Sequence, residues 1–174
     1  MLPRTRLHVY DQAMSLALVK REKLPSISRF GWLMGLYAEN FLRLQRLFEV
    51  AELGCGRYVS SVGDGLDVHI DIIEQHAYTT ELRMSYGLID PQTGLADPSA
   101  SVRLYRDARQ VEATHCYAGR RWQDVIGMYP PPQRVLNHRL RMNTFLGKWL
   151  QYLAEQGHGV ATLKENFQKS ENNA

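Results

Sequence analysis

The sequence predicts an α+β fold in which an antiparallel sheet of five or six strands in meander order is covered on one face by an N-terminal and a C-terminal long helix. Two observations predict this class. Apolar residues recur every three or four positions near both ends of the chain, and at every second position between them. The links between the alternating segments are short, which favours antiparallel neighbours, because a parallel crossover needs a dozen residues or more.

The first helix is predicted to begin at Ser28, whose side chain is a good N-cap, and to end at Gly54. Its apolar positions are spaced by three and four: Phe30, Leu33, Tyr37, Phe41, Leu44 and Phe48. Gly31 and Gly35 lower the helix propensity, so a close backbone contact is expected to compensate there. Residues 1–27 carry no sustained period and are expected to form an arm or a short helix.

Strict alternation predicts the strands that follow. From residue 57 the period becomes two, and Leu66, Val68, Ile70 and Ile72 lie on one side of a strand with Asp67, His69 and Asp71 on the other. Further strands are predicted at Tyr78–Tyr86, Ser101–Arg106, Gln110–Tyr117 and Arg121–Met128. The segment Gly87–Ala100 is long enough for a crossover, but its prolines and glycine predict a loop.

Three consecutive prolines, Pro130–Pro132, end the sheet because none of them has an N–H to donate to a strand ladder. The second long helix follows, with an apolar stripe of Met142, Leu146, Trp149, Leu150 and Leu153. Gly157 is expected to be the left-handed residue just past its end. The sequence thus predicts a single domain over residues 28–160 and a polar tail over residues 161–174.

Composition narrows the class of protein. The 174 residues suffice for one domain, and a net charge of +3 from 21 basic and 18 acidic residues does not imply a nucleic acid or an anionic membrane. The chain shows neither a spanning apolar stretch nor a signal-peptide cleavage site, which predicts a cytoplasmic protein outside the membrane. Two cysteines are expected to be reduced thiols. No oligomeric state is indicated.

Three polar residues fall on buried positions of the predicted helices. At 100° per residue, Asn40 lies among the apolar residues of the first helix, where its amide must be hydrogen-bonded. Arg139 and Asn143 lie on one edge of the apolar stripe of the second helix, held away from water. The structural interpretation of Asn40 is a clamp. That of Arg139 is an ion pair with Asp107 or a sheet carboxylate. The functional alternative is a site for a phosphate or carboxylate.

The strand Ser101–Arg106 carries further candidates. Arg103, Tyr105 and Asp107 alternate onto one face, and Asp107 suits the first position of a turn, where its carboxylate accepts from backbone amides two residues ahead. Basic and aromatic residues on this hairpin could also stack bases and neutralise phosphates: Arg103, Tyr105, Arg109, Tyr117, Arg120, Arg121 and Trp122. The chain matches no known RNA-binding or single-strand-binding module, so nucleic acid is not the expected partner.

Motifs for other chemistry are missing from the sequence. His69, His76, His115, Cys55 and Cys116 lack the paired spacing of a zinc site. Ser60 and Ser61 lack the flanking glycines of a nucleophile elbow, and the nearby glycines form neither a phosphate loop nor a dinucleotide fingerprint. The sequence therefore predicts no catalytic residue, no metal and no cofactor.

Three blocks of residues carry a resemblance to a known family: Leu36-Tyr37-Ala38-Glu39-Asn40-Phe41, Val102-Arg103-Leu104-Tyr105-Arg106-Asp107-Ala108 and Asn143-Thr144-Phe145-Leu146-Gly147-Lys148-Trp149-Leu150. Across residues 28–158 the chain resembles the YqiB-like bacterial proteins, a family of unknown function. The resemblance implies a cytoplasmic protein with no established reaction. Genes of that family often lie near those for a cyclic-nucleotide phosphodiesterase and an ADP-ribose pyrophosphatase.

These observations lead to three functional hypotheses. The first is a non-catalytic module that binds a protein partner or a small anionic ligand on its sheet and adjoining loop. The second is an enzyme of nucleotide or phosphoester metabolism, with a site assembled from Arg103, Asp107, Arg139 and Asn143. The third is nucleic-acid binding by the basic aromatic hairpin, which predicts an affinity that falls steeply with salt.

Overall fold

The computed structural model describes residues 28–63, 65–89, 91, 94, 98–117 and 130–166. Within them lie two helices and six strands: α1 (Arg29–Phe48), β1 (Gly56–Ser60), β2 (Val68–Gln75), β3 (Thr79–Ser85), β4 (Ser99–Tyr105), β5 (Gln110–Tyr117), α2 (Pro132–Glu155) and β6 (Leu163–Glu165). The predicted arm over residues 1–27 and the predicted strand Arg121–Met128 lie outside the described residues. The α+β class with an open antiparallel sheet and two helices is confirmed.

Helix α1 begins where the sequence predicts and ends earlier. The Ser28 hydroxyl accepts a hydrogen bond from the Gly31 amide at 3.0 Å, as an N-cap does. The helix ends at Glu49, which adopts a left-handed conformation with φ of 47°, and not at Gly54. A non-glycine residue is tolerated there because its N–H still bonds to Gln45 O at 3.0 Å.

The strand order is β5-β4-β3-β2-β1-β6, and every pair is antiparallel. The first five strands follow one another as a meander, in which each strand pairs antiparallel with the next along the chain. The sixth departs from the predicted order. Residues 163–165 were expected in the polar tail, but they pair with residues 58–60 of β1, which would otherwise have been an edge of the described sheet.

One core joins the two helices to the sheet. Alternate residues of β2 to β5 are buried against the apolar stripes of α1 and α2, including Val68, Ile70, Leu82, Val102 and Val111. A second, smaller cluster of Leu33, Tyr37 and Leu140 packs the N-terminal halves of the helices together. Helices α1 and α2 run in the same direction. The hydrogen bonds between them join Arg29 with Asn137, Asn40 with Asn143 and Arg43 with Gly147, so residue numbers increase in the same direction along both helices.

The close helix contact lies at Gly147 of α2 and not at Gly35 of α1. A Cβ at Gly147 would come within 2.7 Å of Asn40 Oδ1 and 2.9 Å of Arg43 Nη1, whereas one at Gly35 would meet nothing within 4 Å. The prediction of a compensating contact is therefore wrong for Gly35. Neither helix of the described chain is both long and apolar enough to cross a membrane.

Candidate functional site

The carboxylate of Glu112 is the centre of the first candidate site. In β5, Glu112 lies between Val111 and Ala113, which both belong to the core, and β5 is at one end of the strand order. Its cross-strand neighbour is Arg103 of β4. Glu112 is only 9% exposed, and side chains from both helices contact it.

Three side chains donate hydrogen bonds to this carboxylate. Arg139 Nη1 of α2 and the Tyr37 hydroxyl of α1 both donate to Oε1, the latter at 3.1 Å. The Tyr105 hydroxyl donates to Oε2 at 3.3 Å. Arg139 therefore has a sheet carboxylate as its ion-pair partner, one of the two structural alternatives that the sequence left open, and Asp107 is not involved.

The predicted exclusion of Arg139 from water is wrong. Its side chain is 46% exposed, whereas that of Glu112 is 11% exposed. Position 139 is in the third turn of α2, near β5 at one end of the described sheet, and lies on the rim of the apolar stripe. An arginine at such a rim can bury its stem while its head stays in contact with water.

The surroundings keep these groups in fixed protonation states. The pKa of Tyr37 is raised to about 12, chiefly by burial; the hydrogen bond with Arg139 lowers it and the charge of Glu112 raises it. The hydrogen bond with Tyr37 and the charge of Glu112 raise the pKa of the Arg139 guanidinium against the effect of burial. Tyr37 thus remains a phenol donor and Arg139 a cation at neutral pH.

Asn40 and Asn143 are both completely buried and both act as clamps. Asn40 Nδ2 donates to the Asn143 carbonyl oxygen at 3.0 Å and so joins α1 to α2. Asn143 Oδ1 accepts from the Ala113 amide at 2.8 Å, and its Nδ2 donates to the Arg139 carbonyl at 2.9 Å. The predicted burial of both amides is confirmed, and their hydrogen bonds go to backbone groups.

Asp107 has the turn role that the sequence predicted, with one difference. Its Oδ1 accepts from the amide of Ala108, the next residue, at 2.8 Å, and not from one two residues ahead. The residue is exposed and does not line the cavity beside Glu112. Arg103 is held by another carboxylate, since its Nε donates to Glu81 Oε1 at 2.8 Å.

A cavity of about 310 Å³, which we call the Glu112 cleft, opens beside these groups and is lined by Arg103, Glu112, Thr114, His115, His138 and Arg139 among others. Of the six candidate residues from the sequence, only Arg103 and Arg139 line it. The other four lie apart from the cavity wall, with Asn143 and Asp107 bonded to the backbone. The four side chains proposed for an enzyme site therefore do not converge on one cavity.

A second cavity was not foreseen. A groove of about 530 Å³ between α1 and α2, which we call the basic groove, is lined by Arg29, Trp32, Arg141, Thr144, Phe145 and Lys148 together with Asn137 and Leu140. The residues at 141, 144, 145 and 148 follow the spacing of one helix face. This spacing was visible in the sequence, but it flanks the apolar stripe, where charged residues usually mark solvated surface.

The basic groove differs from the Glu112 cleft in its charges. No acidic residue is among the residues found to line it, and none of the ion pairs within the described part of the chain uses Arg29, Arg141 or Lys148. Arg29 Nη1 instead donates to Asn137 Oδ1 at 2.8 Å, which ties it to α2. Trp32 beside them is 54% exposed.

Two other kinds of site were considered from the sequence: a metal site at the histidines and cysteines, and a nucleic-acid site on the basic hairpin. Among the described residues no three His, Cys, Asp or Glu side chains lie close enough to hold a metal ion. In the basic hairpin, the Arg109 guanidinium lies 5.9 Å from the centre of the Phe41 ring. Arg120, Arg121 and Trp122 lie outside the described residues.

Comparison with known proteins gave one finding. No curated protein and no solved structure matches the chain. A family of proteins of unknown function, DUF1249, matches residues 43–159, which include the residues found to line the Glu112 cleft and all of the α2 residues found to line the basic groove. Because this match covers more than half of the 174 residues, the chain belongs to the DUF1249 family of proteins of unknown function.

Proposed function

We propose that this protein is a non-catalytic module that binds a small anionic ligand of the nucleotide class in the basic groove. The observation that carries the proposal is the set of three cations, Arg29, Arg141 and Lys148, around a half-exposed Trp32 with no acidic residue found in the lining. Cations bind phosphates, and an exposed indole offers a face on which a base stacks.

The charges favour the groove over the Glu112 cleft. In the cleft, Arg139 is neutralised by Glu112, and Arg103 is neutralised by Glu81. An incoming anion there would compete with a carboxylate that is already hydrogen-bonded. In the basic groove no described carboxylate neutralises Arg29, Arg141 or Lys148, so all three cations can attract an anion.

The dimensions also suit a nucleotide. Arg141 and Lys148 are seven residues apart on α2, about 10 Å along the helix axis. Arg29 lies at the α1 side of the same groove, and Phe145 lies between the two cations of α2. A volume of about 530 Å³ is within the range of small-molecule sites, roughly 300–1,000 Å³.

Isothermal titration calorimetry with three probes tests the proposal: ATP, adenosine and tripolyphosphate. We expect ATP to bind more tightly than adenosine, which lacks phosphates, and than tripolyphosphate, which lacks a base. Trp32→Ala should weaken ATP binding by about tenfold, because a stacked base contributes about 1–3 kcal/mol. Equal affinity for all three probes, or no measurable binding of ATP, would contradict the proposal.

A matched pair of lysine variants tests the place of binding. Lys148→Gln should weaken ATP binding by about two- to fivefold, in line with about 0.5–1 kcal/mol for one exposed charge. Lys164→Gln removes the same charge from an exposed residue of β6 outside the groove. If both substitutions weaken binding equally, the effect is one of net charge and the groove is not the site.

The alternatives give different results in the same assays. An enzyme of nucleotide or phosphoester metabolism would release phosphate from ATP or a phosphodiester, and Arg139→Ala would abolish that turnover. A nucleic-acid-binding protein would bind single-stranded oligonucleotides more tightly than ATP, with an affinity that falls steeply with salt. A protein partner would bind the basic groove through an acidic segment, and ATP would compete with that segment for the groove.

We also propose that the chain is a YqiB-like bacterial protein of the cytoplasm. The support is the three sequence blocks at residues 36–41, 102–108 and 143–150, together with the two cysteines, Cys55 and Cys116, which are unbridged in the fold. Fractionation of cells that express a tagged full-length chain tests the location.

A further inference from the structure

A third cavity, of about 460 Å³, lies at the C-terminal end of α2, away from the residues of the basic groove. Its lining includes Val62, Leu66, Tyr86, Tyr152, Gln156 and His158. Leu66 and Tyr152 are each 51% exposed, whereas His158 is only 6% exposed. The cavity thus has an open aromatic and aliphatic rim and one buried imidazole in its wall.

The end of α2 places this imidazole. Gly157 is left-handed, with φ of 89°, as the sequence predicted. The His158 amide bonds to Leu153 O at 3.0 Å and the Gly157 amide bonds to Ala154 O at 3.1 Å, which together form a Schellman motif. His158 is therefore fixed by the helix end, with its ring directed towards Ser60 of β1.

A chain of short contacts links the His158 ring to the Gly159 carbonyl. The Thr162 hydroxyl accepts from the Gly159 amide and lies 2.9 Å from the Gly159 carbonyl oxygen. Ser60 Oγ lies 2.7 Å from Thr162 Oγ1 and 2.8 Å from His158 Nδ1. When Thr162 donates its proton to the carbonyl, Ser60 donates to Thr162 and His158 Nδ1–H donates to Ser60; when Thr162 donates to Ser60, Ser60 donates to His158 Nδ1.

In the first arrangement each of the three contacts, from Thr162 to the Gly159 carbonyl, from Ser60 to Thr162 and from His158 to Ser60, contains one hydrogen. The opposite direction would leave Thr162 Oγ1 and the Gly159 carbonyl in contact without a proton between them, with that carbonyl bonded to the Thr162 amide at 3.0 Å. The first arrangement, on which the proposal below rests, places the proton of the neutral ring on Nδ1 and a lone pair on Nε2. No residue in the described part of the chain bonds to Nε2, and His158 lines the cavity whereas Ser60 does not.

We propose that this cavity is a second binding site, which takes a small uncharged planar ligand that donates an N–H or O–H to His158 Nε2 and packs against Tyr86 and Tyr152. A primary amide on an aromatic or heteroaromatic ring has this chemistry. The aromatic walls favour a flat apolar ring, and the acceptor of the His158 ring in the wall selects for one that carries a donor.

The described surroundings offer no cation to an anionic ligand, since neither lysine nor arginine is among the residues found to line this cavity. Asp67 is the carboxylate that acts on His158, and the other titratable groups among the described lining residues are the phenols of Tyr86 and Tyr152. Burial lowers the pKa of His158, with Asp67 acting in the opposite direction, so the ring is neutral at pH 7. Protonation would convert Nε2 into a donor and remove the basis for binding.

NMR of protein labelled with ¹⁵N in its histidines tests both steps, with benzamide and N,N-dimethylbenzamide as probes. The His158 signals, assigned by their loss in His158→Gln, should show protonated Nδ1 and unprotonated Nε2 at pH 7.5. Benzamide should shift the Nε2 signal in a saturable way. N,N-Dimethylbenzamide has no N–H and should leave that signal in place.

A pair of tyrosine variants tests the location without disturbing the buried hydrogen bonds. Tyr152→Ala should weaken benzamide binding by about tenfold through the loss of an aromatic wall. Tyr78→Ala, at an exposed tyrosine outside the cavity, should leave it unchanged. Protonation at Nε2, no saturable shift with benzamide, equal shifts with both probes, or equal effects of the two variants would each overturn the proposal.

Discussion

Asn143→Ala tests whether this residue is a structural clamp. The substitution removes the acceptor of the buried Ala113 amide, which Asn143 Oδ1 contacts at 2.8 Å. A buried amide without a partner costs about 1–3 kcal/mol, and the cavity left by the carboxamide adds to this. The second bond, to the Arg139 carbonyl, contributes less, because that carbonyl also accepts the regular helical bond from the Asn143 amide.

Urea unfolding followed by circular dichroism measures this loss, and Asn137→Ala is the matched control. Asn137 lies on the same helix, and the hydrogen bond that its side chain accepts from Arg29 is exposed. We expect the control to change the free energy of unfolding by no more than about 0.5 kcal/mol. Hydrogen exchange should in addition become faster at the Ala113 amide in Asn143→Ala. Equal losses for both variants, with unchanged exchange at Ala113, would refute the clamp.

Asn143→Asp separates the two hydrogen bonds. The aspartate keeps an acceptor for Ala113 but presents a second oxygen to the Arg139 carbonyl, and its burial should raise the carboxyl pKa in the folded state. The folded protein then binds a proton more readily than the unfolded one. This variant should therefore be destabilised at neutral pH and recover stability as the pH falls, whereas Asn143→Ala should show no such recovery.

Three further predictions follow from close contacts and burial. Gly147→Ala should lower the free energy of unfolding, because its Cβ would lie 2.7 Å from Asn40 Oδ1 and the cost of overpacking, about 1–3 kcal/mol, exceeds the gain of about 1 kcal/mol in helix propensity; a higher urea midpoint would contradict this. Burial lowers the pKa of His158, so the unfolded chain takes up its proton first, and stability should fall as the pH drops through about 6.5, less so in His158→Gln. Burial raises the pKa of Cys116 to about 12, so in the native protein a thiol reagent should modify the exposed Cys55 and reach Cys116 only after unfolding; rapid modification of both would show that burial does not protect Cys116.

Local patterns predicted an element's bounds correctly where a single residue type determines the backbone conformation. Ser28 caps α1, and Gly157 takes the left-handed conformation that ends α2. The period-two segments became β2 to β5 within a few residues of their predicted bounds. These features depend on neighbours within one turn or one strand, so the sequence contains the information needed to place them.

The sequence predicted that Asn40 and Asn143 are buried, but not which groups they bond to. Helical periodicity placed Asn40 and Asn143 among apolar residues, which required that each find a hydrogen-bond partner. Periodicity could not show that Asn40 bonds to a carbonyl of α2 and that Asn143 bonds to an amide of β5. Likewise the role of Gly147 was invisible, because what makes it necessary is the position of Asn40 more than a hundred residues earlier in the chain.

The sequence alone determined the class of the fold, the two helices, the succession of β2 to β5 and the burial of two amides, because each follows from periodicity or from a residue's own backbone preference. Only the tertiary structure decided that residues 163–165 join the sheet, that Glu112 holds Arg139, that three cations surround Trp32 and that His158 meets Ser60. These contacts join residues far apart in the chain. Their partners are selected by how the helices and the sheet pack, and no local pattern encodes that packing.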